Sequence, residues 1–246
     1  MPNSCDTACA ESRPFDFSAY TSSFSTAQAH TGLYSLRVAK GDGISMTAAV
    51  QAAPDTSQPQ LATAVGANPC GGNASLKGIH ASTSIILPPF APYAGKKMLI
   101  GAWVKEDTVC TCQAYTRNHI QLNFTLSGGD SINMVLSPSG NMIEGWQRYE
   151  SVVDIPSNAT ALTLILQASD VSTTYFDDIR IHPWNAEMKS YVYNAVNLRL
   201  MGELDENNYA TFFEYDDDGT LIRVKKETEA GIQTIKETRS ALLKNQ

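Results

Sequence analysis

The sequence predicts an all-β chain: an antiparallel jelly-roll β-sandwich followed by a β-hairpin repeat tail. Three features carry that expectation. Apolar and polar residues alternate with a period of two in segment after segment, as from Met98 to Lys105 and from Ile120 to Leu126. Gly and Pro turn signals separate those segments, and nothing before residue 183 repeats its apolar positions at helical spacing. Period-two alternation marks strands with one buried face, and many short strands of this kind suggest a sandwich or jelly roll.

Residues 1–14 read as an N-terminal loop, and Phe15-Asp16-Phe17 as an early edge strand. His30-Thr31-Gly32 turns the chain into a strand at Tyr34 to Val38. Gly41-Asp42-Gly43 turns it again into the paired strand Ile44 to Val50. Residues 51–78, punctuated by Pro54, Pro59, Pro69 and Gly71-Gly72, are predicted as loop. Ser82 to Leu87 is a strand ended by Pro88-Pro89. Further strands follow at Met98 to Lys105, Ile120 to Leu126, Ile132 to Leu136, Trp146 to Ile155 and Leu162 to Leu166. Tyr175-Phe176-Asp177-Asp178-Ile179-Arg180-Ile181 closes the sandwich. Strict alternation puts Asp177 inward with Tyr175, Ile179 and Ile181, and Asp178 outward in solvent.

Pro183-Trp184-Asn185 divides a domain at 15–183 from a tail at 187–246. Tyr193 and Leu200 are spaced from Tyr215 and Ile222 by the same interval, which predicts two similar hairpins, the second turning at Asp217-Asp218-Gly219. So few hairpins cannot bury their own face, so the tail is expected to dock on something. Glu227 to Lys244 is charged and reads as a last hairpin or a helix.

The chain has 246 residues, 43% of them apolar, and a formal net charge of −7. The acidic balance argues against nucleic acid, which attracts basic surfaces. No apolar run approaches a membrane span. The N-terminus shows no basic and apolar export signal, and its abrupt start in a Cys-containing loop is what a fragment of a longer protein would show. Cys5, Cys9, Cys70, Cys110 and Cys112 fit no zinc spacing and are expected to form disulfides in an oxidising compartment, with one thiol left over. Sequons begin at Asn73, Asn123 and Asn158.

Ala29 to Val38, Ile100 to Lys105 and Tyr175 to Ile179 together resemble the jelly-roll carbohydrate-binding modules of the galactose-binding-like superfamily, over roughly residues 15–182. The long loop at 51–80 and the Cys110–Cys112 insert depart from that pattern. The tail resembles the YD-repeat (Rhs-type) segments of large bacterial surface and secreted proteins, and Arg199 to Arg239 resembles the C-terminal end of very large extracellular proteins of Bacteroidetes-type bacteria. Tyr193-Asn194, Leu204 to Thr211, Glu214-Tyr215-Asp216, Gly219 and Val224 to Thr228 carry that likeness. The two resemblances imply an extracellular or cell-surface, non-enzymatic protein.

Candidate sites follow. Trp103 stands opposite the apolar face of its strand, and Gln121 and Asn123 hold the same place on another. An aromatic plate flanked by amides suits sugar recognition, with Tyr115 as a further ligand candidate. The alternative is that Trp103 lies under a loop or under the tail. The first resemblance implies a structural calcium on Asp177, with Asp16 and Asp42 as partners; calcium takes six to eight oxygens. The alternative is that Asp177 accepts backbone hydrogen bonds without an ion. His30, His80, His119 and His182 are scattered, and no nucleophile or metalloprotease motif is present. Two functions are therefore expected to compete: recognition of carbohydrate or a surface partner, and a structural role in which the sandwich caps a hairpin tail.

Overall fold

The computed structural model describes residues 18–52, 92–108 and 114–238. The expected strands at Phe15-Asp16-Phe17 and at Ser82 to Leu87, the sequon at Asn73, the carboxylate of Asp16 and all the cysteines lie outside the described residues.

Ten strands build the sandwich: β1 (Phe24–Ser25), β2 (Ser35–Val38), β3 (Gly43–Ala49), β4 (Lys97–Glu106), β5 (Asn118–Leu126), β6 (Ser131–Val135), β7 (Pro138–Ile143), β8 (Trp146–Asp154), β9 (Ala159–Ala168) and β10 (Thr174–Pro183). One sheet has the order β1-β2-β10-β4-β8-β7, the other β3-β9-β5-β6. The chain crosses between sheets at β2–β3, β3–β4, β4–β5, β6–β7, β8–β9 and β9–β10, and every ladder is antiparallel. That alternation is the jelly-roll arrangement. Leu36, Ile100, Val104 and Phe176 of the first sheet meet Ile120, Leu122, Phe124 and Leu164 of the second in one core. Each such side chain contributes about 1.5–3 kcal/mol by leaving water, so the faces read from alternation are the faces the core enforces.

β10 departs from strict alternation. Its register against β4 slips between Asp177 and Arg180, and Asp178 takes a left-handed backbone with φ 46°. A bulge of this kind resets which side chains face which way. Before it, Phe176 points into the core while Tyr175 and Asp177 lie on the outer face; after it, Ile179 and Ile181 are in the core. The predicted faces are therefore corrected: Asp177 does not share a face with Ile179 and Ile181, and Asp178 is completely buried rather than solvated.

The tail is a five-stranded antiparallel meander in chain order: β11 (Ser190–Tyr193), β12 (Leu200–Leu204), β13 (Ala210–Tyr215), β14 (Leu221–Thr228) and β15 (Gly231–Glu237). Of the two expectations for its charged end, the hairpin holds through Glu237. The meander lies on the outer face of the six-stranded sheet. Tyr209 and Ile232 pack against Trp103, Ile143, Trp146 and Tyr175, while Val192, Leu204 and Ala210 form a smaller cluster of their own with Phe212. Gly32 is needed at this junction: its φ is +66°, and a Cβ there would stand 2.7 Å from Val192 Cγ1.

Candidate functional site

His30 sits between the two halves of the molecule, in the turn before β2, with its ring stacked on Trp103 at 4.3 Å and 17°. Its Nδ1 is 2.6 Å from Asp178 Oδ2 on β10, and its Nε2 is 3.0 Å from Glu227 Oε1 on β14. Both ring nitrogens thus face carboxylates, which requires both to carry protons. Burial pulls the His30 pKa down, but the hydrogen bonds and charges of Asp178 and Glu227 outweigh it and raise the pKa to about 10. The imidazolium is the charged bridge between sandwich and tail.

The surrounding groups complete the joint. Thr31 Oγ1 donates to Asp178 Oδ1 at 2.8 Å, and Ala210 N donates to Glu227 Oε2 at 3.0 Å. Asp177 Oδ2 accepts from His30 N at 2.6 Å and Thr31 N at 3.3 Å, while its Oδ1 accepts from Asp178 N at 2.8 Å. Burial and the charge of Asp178 still push the Asp177 pKa well above the ordinary carboxylate range, against the pull of His30 and of the backbone N–H groups. Asn208, in a left-handed turn with φ 65°, accepts from Trp103 Nε1 through its carbonyl at 2.7 Å and donates from Nδ2 to Asp178 O at 3.1 Å. Arg180 Nη1 donates to Asp205 O at 2.5 Å, and Arg148 stacks over Tyr209 at 5.0 Å. The buried charges of His30, Asp178 and Glu227 are tolerated because they are paired and hydrogen-bonded in this way. His30, Asp178 and Glu227 are all shut off from solvent, so the cluster holds the tail in place and offers nothing to a substrate.

The predicted sugar site comes apart. Trp103 is fully buried under the tail and stacked on His30, so it is not an exposed plate. The alternative that it lies under the tail is the one observed. Gln121 and Asn123 are on β5, in the other sheet, so they and Trp103 face opposite sides of the sandwich. Alternation gave each residue an outward face but could not tell which sheet owned it. Tyr115 is also buried, its hydroxyl donating to Gly145 O at 2.7 Å. Burial raises its pKa above the usual tyrosine value.

Gln121 and Asn123 do form a group of their own. Asn133 Oδ1 on β6 accepts from Asn123 Nδ2 at 2.7 Å and from Gln121 Nε2 at 3.1 Å. Beside them Thr47 and Thr163 share a hydroxyl hydrogen bond of 2.8 Å across β3 and β9. Asn123 pairs with both Thr163 and Asn133, so Thr47, Thr163, Asn123 and Asn133 make one row across all four strands.

Of the calcium candidates, Asp177 has N–H groups on both carboxylate oxygens, the alternative raised for it. Asp42 is exposed in the β2–β3 turn, where its carbonyl accepts from Ala168 N at 3.1 Å. Among the described residues no three His, Cys, Asp or Glu side chains are grouped to hold a metal. The residues that matter most at the joint, His30, Asp178, Asn208 and Glu227, were not singled out as site residues. The adjacent carboxylates inside a strand pattern were the available signal. The Glu227 partner of His30 is 197 positions away along the chain, beyond any local pattern.

No protein-family model and no curated protein matches the chain. Several solved structures are similar to it at a distance. A family 16 carbohydrate-binding module has a TM-score of 0.37 and 12% identity, covering 65% of this chain and 83% of that one. The CBM22-1 xylan-binding domain of Paenibacillus barcinonensis Xyn10C has a TM-score of 0.39 and 12% identity, covering 66% and 80%. TmCBM61, in complex with β-1,4-galactotriose, has a TM-score of 0.34 and 11% identity, covering 74% and 97%.

Proposed function

We propose that this chain is a non-catalytic recognition module that binds carbohydrate on the outer face of its four-stranded sheet. The observation that carries the reading is the amide and hydroxyl row of Thr47, Thr163, Asn123 and Asn133, with Gln121 beside it. A sugar presents hydroxyls that both donate and accept. Carboxamides are matched to them because each has acceptor and donor groups side by side. Within the described residues the tail covers the other sheet and leaves this face clear. The module would act outside the cell, at the C-terminal end of a larger secreted or surface protein, with YD-type hairpins in its tail. A glycan array probed with the whole chain, followed by titration calorimetry, tests the reading. Binding is expected to fall about tenfold or more in Asn123→Ala and Asn133→Ala with unchanged melting, the cost of a few lost hydrogen bonds. Flat responses across the array would remove it.

A second reading has its own observation: the tail seals the aromatic face of the sandwich through His30 and Trp103. On that reading the sandwich is a structural cap that orders hairpins, and it needs no free ligand. The tail segment 187–246, prepared alone, is then expected to lack β-structure by circular dichroism and to gain it on mixing with the sandwich. A tail that folds alone would count against a capping role.

A further inference from the structure

We propose that the edge of β11, free among the described residues, together with the loop 194–199, is a docking surface for an extended strand of a protein partner. Four side chains make the surface: Tyr191 and Tyr193, both exposed, and Val196 and Leu198, which are 91% and 75% exposed.

The loop is rigidly built. Asn194 N donates to Arg199 O and Leu198 N to Asn194 O, each at 2.8 Å. Asn194 Oδ1 accepts from Val196 N at 2.8 Å and Asn197 N at 3.2 Å, and Asn197 Oδ1 accepts from Arg199 N at 3.0 Å. Leu198 is held at φ 56°, a left-handed conformation that costs a residue with a side chain about 1–2 kcal/mol. Among the described residues the fold gains little packing from either aliphatic side chain.

A later hairpin of the tail, β13–β14, is an internal control. Its loop, 216–220, is one residue shorter but is closed in a related way: Asp216 N donates to Thr220 O at 3.0 Å, Gly219 N donates to Asp216 O at 2.9 Å, and Asp216 Oδ1 accepts from Thr220 N at 2.7 Å. The left-handed position there is Gly219, at φ 88°, and the tip carries Asp217 and Asp218. Both hairpins also slip register at the tyrosine that precedes the loop, Tyr193 in one and Tyr215 in the other. The loop plan therefore asks for a capping Asn or Asp and a residue that accepts positive φ. It does not ask for Val196 or Leu198, and it disfavours leucine at the strained position. Exposed apolar side chains held at a local cost mark a contact surface.

The same control identifies the occupant. β13 is the counterpart of β11, and the edge of β13 that corresponds to the free edge of β11 is taken by β12, antiparallel. A strand added to β11 in the same sense continues an existing sheet, and main-chain hydrogen bonds provide its affinity. Its chemistry is that of β12, Leu-Met-Gly-Glu-Leu: a small residue turned to the sandwich and apolar residues beside Tyr193 and Leu198. The net charge of −7 disfavours an anionic lipid surface as the occupant.

The test uses the whole chain and a fluorescein-labelled peptide of the sequence Arg199 to Asp205. Saturable binding is expected by fluorescence anisotropy, with slowed amide exchange at Tyr191 and Tyr193. The double variant Val196→Asp/Leu198→Gly, which copies the polar loop, should keep its melting temperature and bind about tenfold more weakly, as expected for loss of one anchoring contact. Three outcomes overturn the proposal: no binding up to about 1 mM peptide, weaker than any useful contact; binding unaffected by the double variant; or flotation with neutral phosphatidylcholine vesicles that the variant abolishes. An unfolded variant overturns it too, since the side chains would then be part of the fold.

Discussion

Replacing Glu227 by Ala removes the tail's side of the buried joint. The change leaves the His30 Nε2–H, now 3.0 Å from Oε1, without its acceptor. It also leaves the Ala210 N–H, now 3.0 Å from Oε2, unpaired in a site where Ala210 is fully buried. Removing one partner of a buried charged pair costs about 3–5 kcal/mol, and an orphaned buried N–H costs about 1–3 kcal/mol. The two losses overlap, because the same carboxylate supplies both bonds. The expected destabilisation is therefore about 4 kcal/mol, or about three decades in the balance between docked and undocked tail. Trp103, which donates to Asn208 O beneath the tail, reports the event. Guanidinium unfolding followed by tryptophan fluorescence should show an earlier, red-shifted transition, with amide exchange accelerated across β11 to β15. Glu227→Gln keeps an acceptor for either donor and should cost about half as much. In the double-mutant cycle with His30→Ala, the coupling should exceed about 1.5 kcal/mol, as for contacting charged groups. If Glu227→Ala stays within about 1 kcal/mol of the parent chain, the size of a surface substitution, then apolar packing alone holds the tail and the account of the joint is wrong.

Alkaline pH should loosen the same joint. The folded pKa of His30, about 10, lies above its ordinary value of 6.5, so its contribution is complete below pH 6.5 and is lost as pH rises through about 10. Denaturation midpoints measured from pH 7 to 10.5 should therefore fall, and His30→Gln should flatten that slope. Asn208→Ala should cost about 2 kcal/mol, from left-handed strain plus the lost bond to Asp178 O; Asn208→Gly should recover the strain alone, giving a smaller loss in thermal melts. Tyr115→Phe should cost about 1 kcal/mol for its bond to Gly145 O and leave glycan binding unchanged. A binding loss there would return Tyr115 to the ligand site.

Much of the sandwich was legible because its physics is local. A strand with one face in the core must alternate, and β4, β5 and β9 do so, which is why Ile100, Ile120 and Leu164 could be assigned inward from the sequence. Turn chemistry was legible for the same reason, as at Gly219, whose φ of 88° suits no other residue as well. The need for the tail to dock also followed from the sequence, since a few hairpins bury too little apolar surface among themselves, here only the small cluster of Val192, Leu204 and Ala210.

The tertiary structure decided what alternation leaves open. A single bulge at Asp178 reset the faces of β10, and no period-two pattern encodes where a left-handed residue will be accepted. Sheet membership separated Trp103 from Gln121 and Asn123, because alternation gives a residue's face but not its sheet. The pairing of His30 with Asp178 and Glu227 joins positions far apart in the chain. Its strength comes from burial, which only the closed fold supplies: the same three side chains in water would attract one another weakly.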